Sequence, residues 1–310
     1  MCIRDRPRPP QAPPQFCDLH LHSSASDGTD APGDLPRLCR DAGLSAFALT
    51  DHDTTAGLAQ CAAAAKKLKI DFVPGIELSA DPGLDAAGHR AGTLHVLGHF
   101  VDPDDPGLEA IAGRMARARA ERNPQIVEKL NALGVRIAYE DVLEAAAAGS
   151  AQTPPVVGRP HIAQAMVAAG YVRSVHEAFT KYLGEGAAAH TRRDTMSAAQ
   201  AIDAVHAAGG LASLAHPVQL RPADDAHLER AVRTLADLGL DGIETRHCDH
   251  TPADVRRFEK LAERFGLLTT GGSDYHGSRK SVRLNDQRVP RRVYESLRDA
   301  ASKDFVKKHG

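Results

Sequence analysis

Apolar and polar residues alternate along Phe16-Cys17-Asp18-Leu19-His20-Leu21-His22, and that two-residue period predicts a strand. Residues two apart on a strand point to the same face, so His20 and His22 stand side by side. Six more short apolar runs, at 44–50, 71–76, 93–100, 211–215, 241–245 and 267–270, also read as strands. Helical spacing separates them. One helix starts near Pro32, carries Leu35, Leu38 and Cys39, and stops at Gly43. An Ala-rich helix over 54–69 closes on Lys66, Lys67 and Lys69, which suit its negative C-terminal end. Others are expected over 197–208, 225–238, 252–265 and 291–302. Strands alternating with helices imply parallel βα units, and seven of them imply a barrel.

The rhythm breaks over 102–190. That stretch predicts a long helix at 107–133, interrupted at Pro124, a second helix at 139–148 and two short ones within 160–183. A Gly/Ser/Thr/Pro loop is expected at 149–155. The expected organisation is a discontinuous α/β barrel, 16–101 and 191–310, with an inserted helical cap domain at 102–190. The insertion leaves the chain directly after the strand bearing His95, which places the cap over the ligand-bearing face. Residues 1–15 are rich in Arg and Pro and lack a long apolar segment, so they are expected to be a disordered leader and not a secretory signal.

Composition narrows the class. The 310 residues are 42% hydrophobic and 25% charged, as in a soluble globular protein. Aromatics are 4%, with no Trp, so the core must be built from Ala, Leu, Val and Ile. A net charge of −2 excludes a strongly basic nucleic-acid coat but not a local phosphate site. Five cysteines without a CxxC pair read as reduced thiols, which points to the cytoplasm and away from a thiolate zinc site. No run of 18 apolar residues suggests a membrane span.

The 16 histidines bring in the chemistry. Strand ends carry Thr50-Asp51-His52-Asp53, Gly75-Ile76-Glu77, Leu94-His95, Ala215-His216-Pro217 and Ser273-Asp274-Tyr275-His276; only the sixth strand, 241–245, is a weak case. A barrel of parallel strands gathers its strand ends on one face, so these residues should converge on one site. No Gly-x-Ser-x-Gly nucleophile, P-loop or aromatic-interleaved RNA motif is present.

Together with Ser26-Asp27-Gly28 and Pro32, these motifs resemble the polymerase-and-histidinol-phosphatase (PHP) family of metal-dependent phosphoesterases. The resemblance implies a distorted (β/α)7 TIM-like barrel. It implies nine ligands, His20, His22, Asp27, His52, Glu77, His95, His216, Asp274 and His276, around two or three divalent ions. Of these, His20, His22, Glu77, His216 and Asp274 stand closest to catalysis. Six imidazoles and three carboxylates suit Mn first, then Fe or Zn, with Mg as a further alternative. Metal-activated hydroxide would serve as nucleophile without a protein group.

Within the family, Gly158-Arg159-Pro160-His161 resembles the branch that dephosphorylates 3′,5′-bisphosphate nucleotides, whose relatives trim short RNA from the 5′ end. Arg159 and His161 are the expected substrate-binding residues. Histidinol-phosphate phosphatase and a non-catalytic metal module are the alternatives. The expected partner is a small nucleotide or the 5′ end of a short RNA, with neither a membrane nor an obligate protein partner. Several residues have a plainer reading. Asp51 and Asp53 should orient loops or imidazoles. His99 reads as a half-buried histidine, His247 and His250 as surface loop. Arg114, Arg117, Arg119 and Arg122 read as a solvated helix face, with a phosphate-attracting rim as the alternative.

Overall fold

The computed structural model describes residues 15–83, 92–147 and 157–309. The expected leader, apart from Gln15, and the expected loop at 149–155 lie outside the described residues.

Among the described residues nine strands form one sheet: β1 (Phe16–Asp18), β2 (Leu44–Leu49), β3 (Asp71–Asp81), β4 (Leu94–His99), β5 (Met196–Ser197), β6 (Leu211–Leu214), β7 (Gly242–Arg246), β8 (Leu268–Gly271) and β9 (Val289–Pro290). They lie in the order β8-β7-β6-β4-β3-β2-β1-β9, with β5 on β3. β8, at one end of this path, meets the chain just beyond β1, next to the other end. The Leu19 N–H donates to the Gly271 carbonyl at 3.0 Å, Asp274 to His20 at 2.9 Å and His22 to Tyr275 at 2.9 Å. The sheet is thus a nearly closed barrel.

The expectation of an all-parallel barrel needs one correction. β4 runs antiparallel to both β3 and β6, and β9 runs antiparallel to β1. His95 is therefore near the start of its strand, yet it reaches the rim where β1, β2, β3 and β6 end. His99, four residues on, lies about 13 Å deeper at the usual strand rise. It is fully buried and its Nε2 meets the Leu19 carbonyl at 2.9 Å, so it is a barrel-interior residue and not a half-buried one.

The strands are buried on both faces, as strands covered by helices must be. Phe47 and Leu49 face outward into the main core with Leu35, Leu58 and Cys61. These last three come from helices α1 (Leu35–Asp41) and α2 (Leu58–Leu68). Small residues face inward: Ala46, Ala48 and Cys17 share a cluster with Leu19, Val73, Tyr294 and Leu297.

Helix α3 (Pro106–Ala132) is unbroken, with Pro124 inside it, where an interruption was expected. Asp105 caps it by accepting from the Leu108 N–H at 2.9 Å. Its first half gives Leu108 and Met115 to the barrel core, while its second half gives Ile126, Val127 and Leu130 to a separate core. The other members of that second core come from α4 (Tyr139–Ala147), α5 (Arg159–Ala168), α6 (Val175–Ala178), the turn after it and the connecting loops that carry Val135, Ile137, Val172 and Ala189. Because β4 runs backwards, α3 starts from the rim opposite the histidines. At about 1.5 Å per residue its 27 residues run about 40 Å. That is enough to climb the barrel wall and set α5 above His52. The barrel then closes with α7 (Ala198–Ala207), α8 (Asp225–Asp237), α9 (Pro252–Phe265) and α10 (Arg291–His309). Among the described residues no helix is long and apolar enough to cross a membrane.

Candidate metal and phosphate site

The rim is assembled from extensions of the strands. Beyond β1 the chain carries His20 and His22 past Gly272, where a Cβ would stand 2.4 Å from the His20 backbone nitrogen. Only glycine permits that approach. Gly272→Ala should therefore displace His20 and cost about 1–3 kcal/mol, the usual range for overpacking. Bound metal per chain should drop with it, and an unchanged metal content would show that the approach is not needed. The loop after His22 is fixed by Asp51, whose carboxylate accepts from the Ser23 N–H at 2.8 Å and the hydroxyls of Ser23 and Ser26 at 2.6 Å each. This is how Asp27 is presented to the site.

Glu77 is the centre. Its Oε2 lies 3.0 Å from His52 Nδ1, 3.1 Å from His22 Nε2 and 3.3 Å from His20 Nε2. Its Oε1 lies 2.7 Å from His95 Nδ1 and 2.9 Å from His216 Nε2. Asp274 Oδ1 stands 3.3 Å from His22 Nε2 and 3.6 Å from His20 Nε2. Asp27 Oδ1 is 3.2 Å from His276 Nε2. All nine residues named from the sequence therefore come together. They form overlapping groups, His22–Asp27–His52–His276, His20–Glu77–His216 and His52–Glu77–His95, with Asp274 grouped with His20 and His247. Within each group the ligand atoms lie within 4.8 Å of one another.

These donors fit a cation. His20 Nε2, both nitrogens of His22, His52 Nδ1 and Glu77 Oε2 are buried without a hydrogen-bond partner. Buried polar atoms are normally satisfied, and here five unsatisfied ones converge. Burial alone would raise the Glu77 carboxyl, but His52, His95 and His20 outweigh it and hold it well below the usual carboxylate range. Asp274 is held low in the same way, against burial, by Lys280 and His276. Burial pushes His216 and His276 down to about 4, so both are neutral lone-pair donors at neutral pH. Three positions here have positive φ despite carrying side chains: Asp53 at 53°, His216 at 26° and Asp274 at 54°. Strain of this kind collects where surrounding structure dictates the geometry.

The structure adds residues that sequence reading placed elsewhere. His247 is fully buried, not on a surface loop, and its Nε2 meets Asp274 Oδ2 at 3.1 Å. His250 is half-buried, its Nδ1 meeting the Thr245 carbonyl at 3.0 Å. Lys280 Nζ donates to Asp274 Oδ2 at 2.5 Å. The sixth strand also contributes: Glu244 is completely buried beside His20.

Arg119 and Arg122 are buried as well, not a solvated face, whereas Arg117 is exposed and Arg114 is half-buried and pairs with Asp194. Arg119 and Arg193 reach Asp53 Oδ2 at 2.5 and 3.2 Å, and the Ser79 N–H and hydroxyl complete that carboxylate's shell. Among the described residues Arg122 donates to the neutral Asn123 Oδ1, at 2.7 and 3.2 Å. Burial, with Arg159, Arg193 and Arg119 nearby, pulls its guanidinium down to about 8.

One cavity of about 540 Å³ joins the two halves. Asp27, His52 and His95 line it together with Arg119, Arg122, Arg159 and Arg193. Arg159 donates to the Leu183 carbonyl at 3.1 Å and lies over the Phe179 ring. His161 is off the cavity wall. Its Nδ1 accepts from the Gly158 N–H at 2.9 Å, and its Nε2 lies 2.8 Å from Arg279, which itself donates to the Asp27 carbonyl at 2.7 Å.

Comparison with known proteins agrees with this geometry. The model of the PHP domain matches residues 18–237. The chain is 32% identical over 259 residues to a 3′,5′-nucleoside bisphosphate phosphatase of Chromobacterium violaceum, covering 84% of this chain and 86% of the relative. It is also 32% identical to a 5′-3′ exoribonuclease of Haemophilus influenzae, covering 84% and 89%. It is 34% identical to a phosphoribosyl 1,2-cyclic phosphate 1,2-diphosphodiesterase of Eggerthella lenta, covering 88% and 98%. Among solved structures, a protein from Bifidobacterium adolescentis assigned as a metal-dependent phosphoesterase superposes with a TM-score of 0.80 at 30% identity, over 92% of this chain and 96% of that one. A converging set of imidazoles and carboxylates on a barrel rim, in a chain similar to a bisphosphate phosphatase, an exoribonuclease and a cyclic-phosphate diphosphodiesterase, has one reading: the chain belongs to the PHP domain family and is one of its metal-dependent phosphoesterases.

Proposed function

We propose that the protein removes the 3′-phosphate from 3′,5′-bisphosphate nucleotides, giving a nucleoside 5′-monophosphate and phosphate. The observation that carries this reading is the cavity's mixed lining. Its imidazoles and carboxylates suit a phosphoryl group undergoing hydrolysis. It also gathers four guanidinium groups, of which Arg119 and Arg193 reach a buried carboxylate, Asp53, while Arg122 and Arg159 meet neutral oxygens, and so calls for a second anion. A substrate with two phosphates on one sugar answers both.

In this reading His20, His22, Asp27, His52, Glu77, His95, His216, Asp274 and His276 hold two or three divalent ions, Mn first among them. When bound, the ions supply a Lewis acid that activates water and neutralises the phosphoryl charge. Glu77 bridges the imidazole groups with its two oxygens. Lys280 and His247 hold Asp274 by one oxygen, Oδ2, and leave Oδ1 facing His20 and His22. Arg159, with Arg122 and Arg193 beside it, binds the 5′-phosphate. His161 supports that end through Arg279, which ties α5 to the loop carrying Asp27.

The test is a substrate panel on the metal-loaded protein. It should contain a 3′,5′-bisphosphate nucleotide, the matching 3′-monophosphate, a 5′-phosphorylated short RNA, a phosphoribosyl 1,2-cyclic phosphate and an aryl phosphate. The bisphosphate should exceed the 3′-monophosphate in kcat/KM by about 10–150-fold, the worth of a charge-assisted contact of about 1.5–3 kcal/mol. Chelation should abolish all turnover. Equal rates on the two nucleotides would sink the proposal. Preference for the RNA or the cyclic phosphate would reassign the substrate, and no turnover at all would favour a structural metal module.

A further inference from the structure

Glu244, on β7, makes two contacts from a fully buried position. Its Oε1 lies 3.0 Å from His20 Nδ1, and its Oε2 accepts the His216 N–H at 2.7 Å. Both partners belong to the nine candidate ligands, and they come from different strands. An ionised glutamate is an acceptor only, with no proton to give.

An acceptor at Nδ1 forces the His20 proton onto Nδ1. The Nε2 lone pair is then left facing Glu77 Oε2 at 3.3 Å and Asp274 Oδ1 at 3.6 Å. A lone pair facing two carboxylate oxygens is repulsive unless positive charge lies between them, supplied by a second proton on Nε2 or by a metal cation that takes its place. The second contact acts on the neighbouring ligand. His216 has φ 26° and ψ 66°, a conformation a non-glycine residue avoids, and the bond from its N–H to Glu244 helps to hold it there.

We infer that Glu244 is the positioning residue that selects the metal-binding tautomer of His20 and at the same time fixes the backbone of His216. One carboxylate thus prepares two ligands on different strands. The inference rests on the ligand assignment proposed above. It does not depend on which phosphate ester is cleaved.

The side-chain chemistry makes an unusual ordering of variants. Glu244→Gln keeps shape and volume, but a primary amide has one acceptor and one donor group. If its oxygen serves His216, its NH2 meets Nδ1, the His20 proton moves to Nε2, and the lone pair is lost to the site. If its oxygen serves Nδ1, two donors face each other at His216. Glu244→Ala removes more of the side chain but leaves room for a water, which can accept from Nδ1 and impose no tautomer.

Zinc retention should be measured by competition with a chromogenic chelator, alongside the melting temperature of each metal-free protein. Glu244→Gln should weaken zinc retention about 10–100-fold, the usual effect of losing the partner behind a ligand. Glu244→Ala should weaken it less. A residue that served only packing would give the reverse order, with the cavity-forming Ala worse, and that order overturns the inference. His20→Ala is the control. If it leaves zinc retention unchanged, the ligand assignment fails instead. A long-range 15N spectrum of the zinc-loaded natural protein gives a readout that needs no variant. A proton on Nδ1 of His20 supports the inference, and a proton on Nε2 overturns it.

Discussion

Glu77→Gln is expected to lower kcat/KM by at least about a thousandfold on every substrate, aryl phosphate included. The substitution keeps the side chain's shape and changes only its charge and half its hydrogen-bonding character. That is enough, because five imidazole nitrogens lie within 3.3 Å of the two carboxylate oxygens. An amide has an N–H where an acceptor is needed and no negative charge to set against the proposed cations. Loss of several kcal/mol of metal-supplied stabilisation of the transition state corresponds to about a thousandfold or more. Metal content should fall in step while the folded chain persists, since Phe47, Ile76 and Leu78, the apolar residues that hold this part of the barrel, are untouched. A variant that kept its metals and lost less than tenfold in rate would displace Glu77 from the centre of the site.

The next largest effect is selective. Arg159→Ala should slow hydrolysis of a 3′,5′-bisphosphate nucleotide about 10–150-fold, the range for one lost charge-assisted contact. An aryl phosphate, with no second phosphate to hold, should be hydrolysed at nearly the natural rate. Guanidinium is the right group for this task because its planar donors match two phosphate oxygens at once. Equal losses on both substrates would put Arg159 at the reacting phosphate. Unchanged rates on both would mean that its bond to the Leu183 carbonyl and its stacking on Phe179 are its whole role.

How far the sequence could be read depended on what each residue reports locally. Polar residues ending apolar runs were conspicuous, and His20-x-His22 needs only the strand period to be placed, but the full ligand set, Asp27 in its turn above all, came from the family resemblance. His95 was legible as a rim residue even though its strand runs the other way. A strand's pattern is the same read in either direction, so parallel and antiparallel could not be told apart there. Glu244 was missed because a single acid within Gly-Ile-Glu-Thr-Arg looks like the solvent-facing member of an alternating strand. Only the closed barrel turns that face inward. Arg119 and Arg122 failed for a related reason. Helical spacing gives the face a residue occupies but not whether something covers it, and what lies beside them, Asp53 and Arg193, is distant in the chain. His247 and Lys280 likewise acquire their meaning from Asp274, which long-range folding brings to them.

Helix α3 has a consequence for anyone who would splice this protein. Its first half belongs to the barrel core through Leu108 and Met115, and its second half to the other core through Ile126, Val127 and Leu130. A module that can be exchanged between relatives normally hangs on two loose loops. This one hangs on a rigid rod common to both bodies. Excision at residue 102 would strip the barrel of Leu108 and Met115, and excision after residue 132 would leave the apolar face of Ile126 and Leu130 bare. Grafting a different lid onto this barrel therefore calls for a junction inside the rod, near Pro124. There a helix already lacks one backbone hydrogen bond, and a foreign helix can be joined in register without disturbing either core.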